Sequence, residues 1–394
     1  MQQEKIWLSP PHMGGSEIDY IQEAFELNWI APAGQNLDKF ERDLVARIGC
    51  GNALAMTSGT AAIHLSLILM DVQPGDYVLC QSMTFCASVN PVRYLGGIPV
   101  LIDSENETWN MDPALLEQAI QDCMDGSIVE KNPSLKSLVG DSPAKKPKAI
   151  IPIHLYGMPA KIEEICAIAA KYQIPVLEDA AEAIGSKVDG QHCGSFGDIG
   201  VVSFNGNKII TTSGGGAMFS KNKSWIDRAK FLSTQAKENR PYYHHEEIGY
   251  NYRLSNVLAG IGRGQLEVLD QRVQSRRANF EYYQNQLGHL PGFFFLEEPE
   301  GFYSNRWLTC ILIDPKLSGG VDSEQVRLAL EKENIESRPL WKPMHKQPVF
   351  KDFPFYGSDI AERLFEQGLC LPSGSSLSEK DLNRVVTVVK SIII

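Results

Sequence analysis

Hydrophobic and polar positions alternate in a way that predicts strands and helices in turn between residues 53 and 220. Short, nearly continuous apolar runs are separated by segments with helical spacing. The runs are "YVLCQ" (77–81), "IPVLID" (98–103), "KAIIPIHL" (148–155), "IPVLED" (174–179) and "IGVVSF" (199–204). Strands that are apolar throughout and separated by helices are typical of a mostly parallel sheet covered on both faces. This pattern predicts a large α/β domain.

The first helix is predicted to follow two glycines near the start of the chain. Ser16 is its candidate cap, and Ile18, Ile21 and Phe25 repeat on one face. The helix is expected to end near Asn28, before an irregular loop.

After about residue 255 the pattern changes. A long helical segment (256–287) is followed by a strand-like run (306–314), a helix capped at Asp322 with Gln325 three residues on, and a last helix opening at Ser378. We therefore predict a large domain over residues 1–255 and a linking helix with a smaller α+β domain over residues 256–394. Residues 124–147, rich in Ser, Pro, Lys and Gly, are predicted to form a surface insertion.

Composition and charge narrow the possible functions. The chain has 394 residues and a formal charge of −11, which argues against nucleic-acid binding and membrane-surface binding. Its eight cysteines show no metal-ligand spacing, so no metal site is expected. No apolar run reaches the length of a membrane span, and there is no signal pattern. A cytoplasmic protein is expected.

Two candidate chemical groups lie just beyond predicted strands. Asp179 ends the run 174–179, and Lys208 follows the run 199–204. Ligands of open α/β sheets bind beyond the carboxyl ends of strands, so these two side chains could meet at one sheet edge. Asp179 could equally cap the turn that follows it.

A second pair of features could bind a flat, phosphorylated ligand. Ser58, Gly59 and Thr60 precede a strongly apolar helix, where free N–H groups and small hydroxyls can bind phosphate. Phe85 follows another strand end and could form an aromatic wall. A simple helix cap and a core aromatic residue are the ordinary alternatives.

Common nucleotide loops do not explain these residues. The chain has no Gly-Lys pair and therefore no Walker loop, and no GxGxxG fingerprint. A strand-end Asp, a strand-end Lys, a phosphate cup and an aromatic wall together are the groups that hold pyridoxal phosphate. The carboxylate would keep the pyridine nitrogen protonated, and the amine would bind the aldehyde.

Over essentially its whole length the chain resembles the DegT/StrS-type sugar-nucleotide aminotransferases. In detail it is similar to those that act at C4 of UDP-4-keto-6-deoxy-N-acetylglucosamine in bacillosamine-type pathways. The stretches that carry the resemblance are "NWIAPAGQ", "SFNGNKIITTSGGG", "GYNYRLSN" and "SRPLWKPMH". The resemblance implies the aspartate-aminotransferase fold (fold type I), with pyridoxal 5'-phosphate as cofactor.

The resemblance also implies roles for particular residues. Lys208 would bind the cofactor aldehyde and act as the catalytic base. The cofactor contacts would be Gly59, Thr60, Phe85, Asp179, Glu182, Ser203 and, from the neighbouring subunit, Asn251. The residues around the sugar nucleotide would be Asn28, Trp29, Ile30, Ala31, Arg338, Pro339, Leu340, Trp341 and His345. The wider family often has Gln or His at the position of Glu182 and His-Pro-Thr before the lysine.

The implied partners are L-glutamate, a UDP-linked 4-keto sugar and a second copy of the chain, with active sites shared across a homodimer. An amino-acid transaminase, in which Arg338 grips a substrate carboxylate, is the first alternative. A non-catalytic regulator of the same fold is the second, although the chain opens with no basic recognition helix.

Overall fold

The computed structural model describes residues 4–139 and 142–393. The strands are β1 (Asn52–Met56), β2 (Tyr77–Gln81), β3 (Ile98–Ile102), β4 (Ala149–Ile151), β5 (Leu177–Asp179), β6 (Lys187–Val188), β7 (Gln191–His192), β8 (Ile199–Ser203), β9 (Gly216–Ser220), β10 (Phe293–Phe295), β11 (Phe302–Tyr303), β12 (Thr309–Ile313), β13 (Arg338–Pro339), β14 (Phe355–Tyr356) and β15 (Gly368–Leu371).

The helices lie between and around these strands. They are α1 (Glu17–Glu26), α2 (Gln35–Ile48), α3 (Gly59–Leu69), α4 (Asn90–Tyr94), α5 (Pro113–Asp125), α6 (Ser127–Lys131), α7 (Lys136–Val139), α8 (Ile162–Tyr172), α9 (Lys223–Ser233), α10 (Asn256–Glu267), α11 (Leu269–Leu287), α12 (Ser323–Lys332), α13 (Ile360–Gln367) and α14 (Glu379–Ile393). In the described residues, no helix is long and apolar enough to cross a membrane.

The central sheet is mostly parallel, as the apolar runs predict. Two four-stranded units, β14-β3-β2-β4 and β5-β8-β9-β1, are joined by parallel bridges from Ile150 to Val176 and from Ile153 to Asp179. Only β9 runs against its neighbours β8 and β1. The carboxyl ends of β5 and β8 lie side by side, with Asp179 opposite Val201. This register brings the residues that follow both strands to one edge.

Both faces of this sheet are buried. Along β2, Val78 and Cys80 belong to the apolar cluster that contains α3, whereas Tyr77 and Leu79 belong to the cluster that contains α5 and α8. Because successive strand residues point to opposite faces, an apolar run without alternation requires cover on both sides. The helix α3 is apolar almost all round and is correspondingly buried.

A second sheet, β10-β12-β15-β13, lies in the C-terminal part of the chain and packs with α11, α12 and α14. The predicted cap of α12 is confirmed, since Asp322 and Gln325 form a reciprocal capping box. Strand β14 returns to pair with β3 in the central sheet. Residues beyond 255 therefore contribute to both sheets, and the division at residue 255 stays a prediction.

The first helix begins where the sequence predicts it, after Ser16, but its apolar stripe does not face the interior. Ile18 and Phe25 are 63% and 61% exposed, and the Ser16 side chain makes no cap bond. The carboxylate of Glu17 instead accepts hydrogen bonds from the N–H groups of Gly14 and Gly15. The helix packs against α10 through its other side, where a Cβ on Gly264 would lie 2.8 Å from the Glu17 nitrogen. The helix is thus held to α10 by close contact between the two backbones at Gly264, and its apolar stripe stays exposed.

Two further predictions need correction. The long helical segment is divided at Val268, which separates α10 from α11. The segment 124–147 is not wholly a surface insertion, because α6 and the turn after it bury Ile128 and Leu135 against the core. Residues 140 and 141 of that segment lie outside the described residues.

Candidate active site

A cavity of about 850 Å³ lies at the carboxyl edge of β5 and β8. It brings together many of the predicted site residues. Those that line it are Gly59, Thr60, Phe85, Asp179, Glu182, Ser203, Lys208, Arg338, Pro339, Leu340 and Trp341. The sheet topology thus gathers residues that are up to 282 positions apart in the chain, from Gly59 to Trp341.

Lys208 reaches into this cavity from the loop after β8. Its Nζ donates a hydrogen bond to Glu182 Oε1 at 3.1 Å and lies 4.0 Å from the centre of the Trp307 ring. The lysine side chain is only 12% exposed. Its amine is thus held between a carboxylate and an aromatic face, on a side chain that is largely shielded from solvent.

Glu182 is the carboxylate that faces the lysine. Its Oε2 accepts a hydrogen bond from the Tyr156 N–H at 2.8 Å. Burial raises the pKa of this carboxyl to about 7, although the charge of Lys208 opposes the shift. Glu182 can therefore gain or lose a proton near neutral pH, directly beside the lysine amine.

Asp179 both caps a turn and lines the cavity, so the two alternatives for this residue coexist. Its Oδ1 accepts from the Ala181 N–H at 3.1 Å, and its Oδ2 accepts from the Ser88 hydroxyl at 2.6 Å. The Ser88 hydroxyl also lies 2.7 Å from that of Thr84. These bonds fix the carboxylate at the sheet edge.

The candidate phosphate cup is the start of α3. Ser58 is the N-cap, and its Oγ accepts from the Ala61 N–H at 3.0 Å. The first N–H groups of a helix have no partner within the helix, so Gly59 and Thr60 can offer theirs to an anion. Strand β9 passes close behind, since a Cβ on Gly216 would lie 2.5 Å from the Gly59 nitrogen. Only a residue without a side chain fits at position 216, so glycine there permits this close backbone approach.

An aromatic wall completes the cavity, and it is larger than the sequence indicated. The ring of Phe85 lies 5.7 Å from that of Trp341. Tyr156 packs between Trp307 and Trp341 at centroid distances of 6.2 and 4.9 Å, and its hydroxyl accepts from the Trp341 N–H. Tyr156 holds a left-handed backbone, with φ of 53°. This backbone conformation is unfavourable for a residue with a side chain, so the packing around Tyr156 must hold it there.

Sequence reasoning missed Tyr156 and Trp307. A usable signal existed for Tyr156, which follows the apolar run containing β4 just as Asp179 ends the run containing β5. Trp307 precedes a strand of the C-terminal sheet, and no local pattern indicates that it faces Lys208.

Three groups of predicted residues do not line the cavity. His345 binds the Ser82 hydroxyl at 2.7 Å and the Glu362 carboxylate at 3.2 Å, and it stacks on Phe355. In this chain it packs α13 against the central sheet and does not surround the cavity. The loop 28–31 is exposed on the surface, and Asn251 pairs with Thr234 in an exposed bridge. The predicted contact of the loop with the sugar nucleotide, and that of Asn251 with the cofactor phosphate of a neighbouring subunit, stay predictions.

The mostly parallel α/β sheet, with a lysine in the cavity at its edge, agrees with the fold-type-I architecture of aspartate aminotransferase that the sequence resemblance implies. The sequence profile of the DegT/DnrJ/EryC1/StrS aminotransferase family matches residues 11–390, and the chain belongs to this family. The predicted family and fold are thus confirmed.

Individual relatives match over nearly their full length. The chain is 48% identical to the putative pyridoxal phosphate-dependent aminotransferase EpsN of Bacillus subtilis, over 98% of this chain and 95% of the relative. It is 32% identical to GDP-perosamine synthase of Caulobacter vibrioides, over 99% of each chain. The crystal structure of a DegT DnrJ EryC1 StrS aminotransferase from Brucella abortus superposes with a TM-score of 0.84 at 27% identity, covering 96% of this chain and 95% of the other.

The family uses pyridoxal phosphate, which confirms the predicted cofactor. The cavity fits this group. Its N-terminal helix turn offers N–H groups to the phosphate, and the fixed carboxylate of Asp179 suits a protonated ring nitrogen. Phe85 and Ala181 could flank the ring, and Lys208 is the amine available for the aldehyde. When bound there, the cofactor would supply a cationic ring that withdraws electrons from a substrate carbon.

Proposed function

We propose that this protein transfers an amino group from L-glutamate to the C4 ketone of a UDP-linked 4-keto-6-deoxy sugar. The sugar is UDP-2-acetamido-4-keto-2,6-dideoxyglucose, and the product is the 4-amino-4,6-dideoxy-N-acetylglucosamine derivative for surface-glycan or glycoprotein synthesis. The proposal is carried by one observation: Lys208 and Glu182 meet inside a cavity whose volume suits a sugar nucleotide. It rests further on the stretches that resemble the bacillosamine-type enzymes.

Lys208 has two tasks in this proposal. It holds the cofactor between turnovers, and once released, its Nζ takes the proton from the donor's α-carbon. In the second half of the reaction the same Nζ returns a proton to the sugar carbon that gains nitrogen. Glu182 lies within 3.1 Å of Nζ and keeps it in place during both transfers.

The mouth of the cavity carries the cations that an anionic substrate needs. Arg338 and Lys342 both line it, and the Arg338 guanidinium is largely exposed while one carboxylate oxygen of Glu336 holds it at 2.9 Å. The diphosphate of a nucleotide sugar and the carboxylates of glutamate are both ligands for such groups. The same contact would serve the two halves of the reaction in turn.

A glutamate half-reaction followed by an acceptor challenge tests the proposal. Purified enzyme loaded with pyridoxal phosphate is treated with L-glutamate, and the amino form is separated and offered a UDP-linked 4-keto sugar or simple oxo-acids. We expect the sugar to be aminated and the oxo-acids to react far more slowly. Preference for oxo-acids would instead support an amino-acid transaminase.

Lys208→Ala should lose turnover altogether, and substantial amination by that variant would contradict the role of Lys208.

The nucleotide carried by the acceptor sugar has specific alternatives to UDP. GDP-perosamine synthase is among the relatives, so a GDP-linked 4-keto sugar is the second candidate acceptor. A dTDP-linked sugar is a third. Offering the three acceptors at equal, subsaturating concentration measures kcat/KM for each directly. The proposal requires the UDP-linked sugar to give the highest value.

We also propose that the chain acts as a homodimer whose two active sites are shared. An exposed apolar surface supports this, formed by Ile18, Phe25, Leu27, Trp29 and Ile30 on α1 and the loop after it. Exposed apolar side chains grouped along one helix and its following loop are typical of a protein interface. The exposed position of Asn251 allows its amide to reach a phosphate in the neighbouring subunit.

A further inference from the structure

We propose that Arg276 is a positioning residue, which holds Trp307 against the amine of Lys208 and so fixes that amine for proton transfer. The inference rests on the proposed function of Lys208. Arg276 lies on α11, outside the cavity lining, and acts only through its neighbours.

Arg276 is buried, and within the part of the chain that the structure describes no carboxylate pairs with it. Arg276 is only 1% exposed, and the oxygens that accept hydrogen bonds from its guanidinium are all neutral. One terminal nitrogen donates to the Trp307 carbonyl at 2.5 Å and to the Ser373 carbonyl at 3.2 Å, and the other donates to the Ser9 hydroxyl at 3.0 Å. A buried cation of this kind is costly and needs such bonds to be tolerated. Burial lowers the pKa of Arg276 to about 9, so it stays charged at neutral pH.

The bonds of Arg276 form a closed loop around Trp307. The Ser9 hydroxyl donates to the Asn207 carbonyl at 2.7 Å, and the Trp307 indole N–H donates to the same carbonyl at 2.8 Å. Trp307 is thereby held at its main-chain oxygen by Arg276 and at its indole nitrogen by Asn207. Asn207 is the residue before Lys208, so the tryptophan and the lysine loop are fixed to each other.

The Trp307 ring, held by these hydrogen bonds, contacts the Lys208 amine from one side. The Lys208 Nζ lies 4.0 Å from the Trp307 ring centre, with Glu182 at 3.1 Å on the carboxylate side. Tyr156 packs almost parallel to the same ring, at an interplanar angle of 21°. If the ring moves, the amine loses one of the two contacts that define its place. Small misplacements of a reacting group can lower rates by about 100-fold.

Neighbouring polar residues on the same face of α11 have other partners. Arg272, one turn earlier, donates to the Met13 carbonyl, while Asn279 and Tyr283 donate to carbonyls of residues 372–374. None of these contacts involves Trp307. Arg272 is therefore a matched control, because it is also a buried arginine bound to a main-chain carbonyl.

A double-mutant cycle tests the inference. Arg276→Met, Trp307→Phe and the double variant are compared in the single-turnover glutamate half-reaction of the loaded enzyme. We expect the limiting rate constant of the half-reaction to fall about 10- to 100-fold in each single variant, with the half-saturating glutamate concentration changed less than threefold. The double variant should be no slower than Trp307→Phe alone, because Arg276 acts through Trp307. Multiplying losses in the double variant would overturn the inference.

The control separates positioning from general stability. Arg272→Met should lower the unfolding midpoint by a similar amount but change the limiting rate constant less than about twofold. An equal loss in that rate constant would overturn the inference. If Arg276→Met does not fold, Arg276→Lys replaces it in the cycle, with the same requirement of no further loss when Trp307→Phe is added.

A spectroscopic readout keeps this inference distinct from the proposed function. The near-ultraviolet circular dichroism of the cofactor-free protein reports the environment of Trp307. The contribution of Trp307 in each protein is the difference between its spectrum and that of the same protein carrying Trp307→Phe. We expect this contribution to be lost in Arg276→Met and kept in Arg272→Met. This result does not depend on turnover, so it stands even if glutamate proves not to be the donor. An unchanged Trp307 signal in Arg276→Met would overturn the inference by itself.

Discussion

Lys208 and Glu182 are in direct contact inside the cavity, with Nζ 3.1 Å from Oε1. The carboxyl of Glu182 has a pKa of about 7 because burial outweighs the attraction of the lysine's charge. This value decides how the pair responds to pH. In the folded protein Glu182 holds its proton more tightly than it does in the unfolded chain.

We therefore predict a pH-dependent contribution of Glu182 to stability in the cofactor-free protein. Since its pKa rises from 4.5 to about 7 on folding, the contribution is fully present below pH 4.5 and is lost as the pH rises through 7. The shift corresponds to about 3 kcal/mol. The difference in free energy of unfolding between wild type and Glu182→Gln should fall by about that amount between pH 4.5 and 8, measured by urea denaturation.

A surface glutamate provides the control for this measurement. The hydrogen bond from Lys171 lowers the pKa of Glu117, so its contribution has the opposite sign and grows as the pH rises. Glu117→Gln should therefore not reproduce the loss. A pH-independent difference for Glu182→Gln would show that this carboxyl is not shifted.

At the scale of elements, the site depends on how closely strand β9 approaches the start of α3. Three consecutive glycines, Gly214 to Gly216, lead into β9, and their surroundings differ. A Cβ on Gly216 would clash with backbone atoms of Ser58 and Gly59, whereas a Cβ on Gly214 would meet no atom within 4 Å. The two positions therefore separate the effect of strand packing from that of adding a methyl group.

We predict that Gly216→Ala weakens cofactor binding at least about tenfold, because strand β9 must move away from the helix turn that offers N–H groups to phosphate. Titration of the cofactor-free protein with pyridoxal phosphate, followed by absorbance, measures the Kd. Gly214→Ala should bind as wild type does. Equal affinities for the two variants would mean that the start of α3 does not hold the phosphate.

At the scale of the whole molecule, the surface of α1 and the position of Asn251 bear on assembly. Phe25 is exposed on α1, and Phe294 is a comparably exposed aromatic residue on a strand of the second sheet. If the surface around Phe25 is the dimer interface, a charge placed there must be buried without a partner.

We accordingly predict that Phe25→Glu gives a monomer in sedimentation velocity at micromolar concentration, whereas Phe294→Glu stays a dimer. The pyridoxal phosphate affinity of the monomeric variant should also fall, since Asn251 of a partner would be missing. A dimeric Phe25→Glu would place the interface elsewhere.

If the active sites are shared, we can predict the activity of dimers that combine two different variants. Lys208→Ala and Asn251→Asp each damage a homodimer, but a mixed dimer combines an intact Lys208 with an intact Asn251 in one of its two sites. Random mixing should restore about a quarter of wild-type activity. Lys208→Ala mixed with Asp179→Ala should restore none, because both residues line the same cavity of one chain. Activity no higher than that of the parent variants would exclude sharing.

The central sheet and its edge residues could be predicted because their signals are local. Apolar runs such as "YVLCQ" coincide with a strand at both ends, and Asp179 and Lys208 follow adjacent parallel strands as expected. The face of α1 could not be predicted. Periodicity identifies an apolar stripe, but not whether the interior or another surface covers it.

The sequence by itself determined the order of strands and helices, the absence of common nucleotide loops and the residues Asp179, Lys208 and Ser58 to Thr60 as candidates. These follow from side-chain periodicity and from chemistry near strand ends, which depend on neighbours in the chain. Only the tertiary structure decided that Glu182 faces Lys208, that Tyr156 and Trp307 form the wall, and that Arg276 holds Trp307. Those contacts join segments that are far apart in sequence, and the physical reason they form is packing in three dimensions, which local pattern does not encode.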